Sequence, residues 1–305
     1  MDIRGILVFL LIAFGVGIPA QLGLLSIRLM VWDEPTFLHT IVKAALMFVP
    51  AAAAWIAAQV SPRPTEHAGY TVWPVPMPWL VRVVIAVTLV FAVANGINFA
   101  AGWTTFDPGV GEAINRLPIK VEDSVKDMTP AVMILGLFAL SVVLGPFLYG
   151  AVALGSEWGW RQFLLPRLLP LGKFPAYILS GLLWALWCTP MIVSYYRYLM
   201  KPQDMWVFLG TFSLFCIVLG AVLGEVVLRT RNVGLAAALL GTLYASGEQG
   251  PWRYLFPMDT PPWTGTAGVT IIVCLLPLAL FPRLLLGLPA APLPAADEKP
   301  PVVAS

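Results

Sequence analysis

Charge is what this chain has least of. Only 11% of its 305 residues are Asp, Glu, Lys or Arg, 59% are hydrophobic, and the mean hydropathy is +0.84. Soluble domains carry about 25% charged residues, so this composition excludes a water-soluble globule and indicates a polytopic membrane protein. The charges collect between apolar runs instead of alternating along them, which is how loops and spans separate. The net charge is only +2 and no basic tract exists, so nothing points to nucleic acid as a partner. Histidine is scarcer still: His39 and His67 are the only two, both in the first half near loop regions. Cysteine is confined to Cys188, Cys216 and Cys274, each inside an apolar run, which argues against a disulfide framework.

What remains is long apolar sequence. A spanning helix needs about 20 mostly apolar residues. About eight stretches qualify, at roughly 5–31, 38–60, 79–102, 130–156, 174–196, 205–228, 233–247 and 266–287. The expected fold is therefore all-α, a bundle of about eight transmembrane helices, because a bilayer offers no solvent for unpaired backbone groups. The first run is too long for a signal-peptide core and reads as a retained span. The seventh is short and rich in small residues (Gly234, Ala236, Ala237, Ala238, Gly241), which suits close helix packing.

The connections divide the chain into four parts. Residues 1–129 hold the first three spans, with a Pro-rich loop at 61–78 and a polar, mixed-charge loop at 103–129. Residues 130–247 hold spans four to seven, 248–288 the last loop and span eight, and 289–305 a Pro/Ala-rich tail expected to be disordered. Eight spans put both termini on one side. Ten of the 18 Lys and Arg fall on that side, among them Arg167, Lys173, Arg229 and Arg231 in short loops, which favours cytoplasmic termini.

The most informative segment is Gly155-Ser156-Glu157-Trp158-Gly159-Trp160-Arg161-Gln162, at the end of span four. Ionisable residues at the margin of a span need a partner or a purpose. Glu157 and Arg161 stand at i and i+4 with the acid N-terminal, the favourable orientation for a helical ion pair. Glu225 and Arg229 repeat that spacing near the end of span six. Asn95 and Asn98, at i and i+3 on span three, are expected to hydrogen-bond a neighbouring helix. Glu248 reads as a solvated residue after span seven.

Three segments together resemble the CPBP family of intramembrane metalloproteases, which includes the type II CAAX prenyl endopeptidases and bacteriocin-processing enzymes. They are Ser156 to Leu168, Ser180 to Pro190, and Leu223 to Asn232, and the resemblance covers roughly residues 130–247. The family signatures are Glu-Glu-x-x-x-Arg, Phe-x-x-x-His and His-x-x-x-Asn on three successive core helices, holding a metal that activates water against a peptide carbonyl. Here the first reads Ser156-Glu157-Trp158-Gly159-Trp160-Arg161, with serine in place of the catalytic glutamate. In the second, Trp184 replaces Phe and Cys188 replaces His. The third falls on Leu240 to Tyr244, with Leu240 for His and Tyr244 for Asn, or with Gly241 for His after a slip of one residue.

The resemblance therefore implies a CPBP-like scaffold with degenerate motifs, a pseudoprotease that lodges a peptide or transmembrane segment in a cavity bordered by Ser156, Glu157, Cys188, Leu240 and Tyr244. No cofactor and no metal follow from these residues; zinc or another divalent metal belongs only to an active form. The alternative it implies is an active metalloendopeptidase acting on prenylated or leader-peptide substrates, with Glu157 as its catalytic residue. A rebuilt site would use Cys188 as soft ligand or nucleophile with Glu157, Glu225 or Glu248, but a cysteine nucleophile needs a base and no histidine is near. A transporter is a third reading, resting on span number and a few buried polar residues. Beyond the lipid bilayer, the expected partner is a peptide or a transmembrane segment, and the expected location a bacterial plasma membrane.

Overall fold

A computed structural model describes residues 2–26, 37–62, 70–110, 128–196, 201–248, 250–257 and 264–290. Among these residues, eleven helical elements follow in order: α1 (Ile3–Ser26), α2 (Phe37–Met47), α3 (Val49–Val60), α4 (Met77–Ala100), α5 (Pro130–Leu171), α6 (Lys173–Tyr196), α7 (Pro202–Thr230), α8 (Val233–Glu248), α9 (Pro251–Leu255), α10 (Val269–Leu280) and α11 (Pro282–Leu286). No strand occurs among the described residues, only a bridge between Thr71 and Asn232. The chain is an all-α polytopic bundle.

Within α1, α4, α5, α6 and α7 lie apolar stretches long enough to cross a membrane, and α3 and α10 are shorter apolar helices. The surface of α4 shows what these helices face. Val81, Ile85, Leu89, Val93 and Ile97 recur every fourth residue and are all exposed, whereas Leu80, Val83, Val84, Val87, Val90, Phe91 and Ala94 are buried. A continuous exposed apolar stripe is costly in water and natural against lipid.

Three runs differ from their expected bounds, the eighth being two helices, α10 and α11, parted at Phe281. The second run is two helices, α2 and α3, with Phe48 between them and Pro50 in the first turn of α3. Proline has no N–H to donate and is tolerated in the first turn, so a helix restarts there at little cost. The fourth run does not stop at residue 156 but continues to Leu171, making α5 42 residues long. It starts where the Thr129 hydroxyl accepts from Val132 N–H at 3.4 Å, with Pro130 in the first turn. Two of its stretches are π-helical, Leu140–Tyr149 and Trp158–Leu164. Such wide turns are rare and often mark functional segments; the second begins directly after Glu157.

Between α7 and α8 the chain reverses through Arg231, which has a left-handed backbone (φ 51°). Asn232 then caps α8, its Oδ1 accepting from Leu235 N–H at 2.7 Å. Its Nδ2 donates to Thr71 Oγ1 and Pro74 O at 3.0 and 3.1 Å, which fastens the loop before α4 to this turn. The part of the Pro-rich loop at 63–69, most of the 103–129 loop, and the tail from 291 onward lie outside the described residues, as does His67. His39 lies in α2, its side chain outside the description. Pro289 and Ala290, expected to belong to the tail, are described, and the Pro289 carbonyl accepts from Arg229 Nη1 at 2.8 Å.

Candidate functional site

Glu157 closes the middle α-helical stretch of α5 and is fully buried. Its Oε1 accepts from Arg161 Nη1 at 3.0 Å, so the i,i+4 spacing does form an ion pair, in the interior of the bundle and not at its margin. The Arg161 guanidinium carbon lies 4.0 Å from the centre of the Trp184 ring on α6, a cation–π contact. Gly220 of α7 is also close: an added Cβ there would come within 3.2 Å of Nη2. The arginine thus touches an indole and a glycine and is in electrostatic reach of buried Cys188 and Cys216.

The α1 helix, absent from the family resemblance, closes this region from the other side. Trp160 packs edge-on against Phe9 and Phe14, and its ring centre is 6.3 Å from that of Trp187. Trp187 Nε1 donates to Ala13 O at 3.0 Å, and Gln21 Nε2 donates to Trp187 O at 3.0 Å. Gln21 and Ala13 are functional-region residues that sequence reasoning missed. The only signal was a glutamine within an apolar run, with nothing to say which helix it would meet.

Five polar atoms along this part of α5 have no hydrogen-bond partner among the described residues: Ser156 Oγ, Glu157 Oε2, Trp160 Nε1, Arg161 Nε and Gln162 Oε1. All five residues are buried.

The third-motif positions do not join them. On α8, Gly241 packs into α5 at Gly145 and Gly150; a Cβ there would lie 2.7 Å from Gly145 O and from Gly150 Cα. Gly150 stands seven residues before Glu157, about 10 Å along the helix axis. Tyr244 is 41% exposed and its ring centre is 5.5 Å from that of Tyr149; Leu240 is half-buried. Residues 240–244 therefore face the 145–150 stretch. Glu157, Arg161, Trp184 and Cys188 converge, with Ser156 next along α5, while Leu240 and Tyr244 stand apart. The close glycine contact also leaves no room for a histidine at 241.

Glu225 is the other buried acid, and its surroundings are full. Oε1 accepts from Tyr177 Oη at 2.7 Å and pairs with Lys173; Oε2 accepts from Arg229 Nε at 2.6 Å. The pairing with Arg229 matches the i,i+4 expectation, and Lys173 and Tyr177 of α6 are additional partners. Asn95 differs from expectation, its Nδ2 donating to Phe91 O of its own helix at 2.9 Å. The Oδ1 atoms of Asn95 and Asn98 have no partner among the described residues. Glu248 ends α8, its side chain outside the description.

The metal that the resemblance implies does not fit this donor set. Among the described residues no three His, Cys, Asp or Glu side chains come together. Ser156 offers a neutral hydroxyl, the one free carboxylate oxygen of Glu157 belongs to a group already paired with Arg161, and that cation stands beside Cys188. A divalent ion prefers several anionic or imidazole ligands and no neighbouring positive charge.

No curated protein matches the chain. A family model does: the one described as Type II CAAX prenyl endopeptidase Rce1-like matches residues 137–243, inside the region of resemblance and spanning the Glu157 segment, α6, α7 and most of α8. Over these residues, about a third of the chain, it is similar to the type II CAAX prenyl endopeptidases, in agreement with the resemblance carried by the three motif segments.

Proposed function

We propose that this membrane protein is a pseudoprotease of the CPBP type, which holds a peptide or a transmembrane segment without cleaving it. The observation that carries the reading is the pairing of Glu157 with Arg161, where the family keeps a metal-binding carboxylate environment. Ser156, Cys188 and Leu240 at the ligand positions point the same way. Three buried tryptophans support a retained frame: Trp160 and Trp187 pack on one another and on α1, and Trp184 packs on Arg161, and unsatisfied polar atoms remain along it to meet a polar ligand.

A photo-crosslinking side chain at Ser156, compared with one at lipid-facing Val93, tests this in proteoliposomes. The probes are a synthetic prenylated C-terminal peptide and an apolar leader peptide. Saturable crosslinks from 156 and not from 93, with the peptide recovered whole, are expected. Cleavage that a chelator stops and Glu157→Gln abolishes would establish the active endopeptidase instead. The proposed setting is a bacterial plasma membrane with cytoplasmic termini, as the Lys and Arg distribution suggests.

A further inference from the structure

The unpartnered atoms on α5 form a pattern. Trp160 Nε1 and Arg161 Nε can only donate; Glu157 Oε2 and Gln162 Oε1 can only accept; Ser156 Oγ can do either. All five belong to residues at most 5% exposed. Five such atoms left unsatisfied inside a bilayer-spanning bundle would cost a large part of a protein's net stability. Buried polar groups in native proteins find protein or water partners, and buried water commonly bridges two to four of them.

The charge of the region narrows what can bind. A cation would meet Arg161, an anion would meet Glu157, and the two are already neutralised by one another. What the donors and acceptors call for is a small neutral molecule that gives and takes hydrogen bonds at once. Ser156 and Trp160 lie one turn apart on one face of α5, with Glu157 and Arg161 one turn apart beside them. Trp160 leads toward Trp187 and through it to Gln21 of α1, whose Oε1 is also buried and unpartnered.

We infer that Ser156, Glu157, Trp160 and Arg161 line an internal hydrated seam, a site for ordered water between α5 and the helices α1, α6 and α7. It draws on the same unpartnered atoms as the peptide-binding reading, and the two tests separate them: peptide crosslinks could be absent with the seam wet, or present with it dry.

Radiolytic hydroxyl labelling of the full chain in nanodiscs in 18O-water tests it, because radicals generated from bound water mark side chains that bulk solvent does not reach. Trp160, fully buried, is expected to take up label at a rate comparable to that of exposed Trp73 in the loop before α4, while buried Phe91 stays unlabelled. A second reading comes from Ser156→Ala. If the hydroxyl is bonded to water, its removal lowers Tm by about 2–4 °C; if the hydroxyl is dry and orphaned, its removal raises Tm. A silent Trp160 or a rise in Tm overturns the inference. Labelling of Trp160 that is lost when excess glycerol is added would identify an adventitious additive-accessible cavity in place of an ordered-water site, and would also overturn it.

Discussion

Glu157 and Glu225 look alike in sequence, each a glutamate four residues before an arginine in an apolar helix, and the fold treats them in opposite ways. Glu225 has a partner at each oxygen, and Arg229 goes on to bind the Pro289 carbonyl. Glu157 has one partner, and its own Oε2 and four neighbouring buried polar atoms have none among the described residues. A saturated network rigidifies a fold; a half-saturated one costs stability and persists where something else uses it. The first acid is a staple between α6, α7 and the segment after α11. Both acids lie in the stretch that matches the family model, but Glu157 alone stands beside a rare π-helical turn with one carboxylate oxygen unpartnered among the described residues.

The comparison breaks most readily at Glu157. Glu157→Leu leaves Arg161 charged and buried, and a loss on the order of 3–5 kcal/mol is expected in denaturation of the detergent-solubilised protein. Adding Arg161→Met should return stability to within about 1 kcal/mol of the parent, since a buried pair can be exchanged for well-packed apolar residues. At Glu225 the matching experiment should give another result. Glu225→Leu is expected to cost on the order of 3 kcal/mol, less than a fully buried pair because Lys173 is half exposed. Arg229→Met should not rescue it, because Tyr177 and Lys173 still lack their acceptor. If both doubles recover equally, the two acids are equivalent and the contrast fails.

Smaller effects sharpen the boundary of the site. Trp187→Phe removes the bond to the Ala13 carbonyl and should cost about 1 kcal/mol, while weakening peptide crosslinking from position 156 if α1 truly closes the region.

Smallest is the pH dependence at Asp2, which lies outside the spans. Burial acts to raise its pKa, but the Gly5 N–H, Arg167 and the Ser61 hydroxyl outweigh it and hold the carboxyl below the ordinary 3.8. Its contribution is complete above that ordinary value and lost as pH falls through the lowered one. Asp2→Asn should therefore flatten the Tm profile on the acid side, below about pH 4, and leave its neutral part parallel to that of the parent.

Local spacing made much of this legible in the sequence. Apolar run length revealed the helical class, and the i,i+4 rule revealed both ion pairs, because partners four residues apart meet in any helix. Partners on other helices were not legible. Tyr177 is 48 residues from Glu225, and Gln21 is 166 from Trp187, and nothing in their spacing encodes the meeting. The length of α5 was misread because Arg161, Pro166 and Arg167 resemble the start of a loop, whereas Arg161 is buried with Glu157 and Arg167 with Asp2. The separation of Leu240 and Tyr244 from Glu157 depends on how deeply Gly241 sinks into Gly145 and Gly150, a packing detail that the motif alignment does not contain.

The most direct test of the pseudoprotease account is metal stoichiometry by elemental mass spectrometry on the purified protein, paired with cleavage assays on the same sample using the prenylated and leader peptides. The account predicts far less than one divalent metal per chain and no cleavage that depends on added metal. Close to one metal per chain, with cleavage that a chelator stops and Glu157→Gln abolishes, would contradict it.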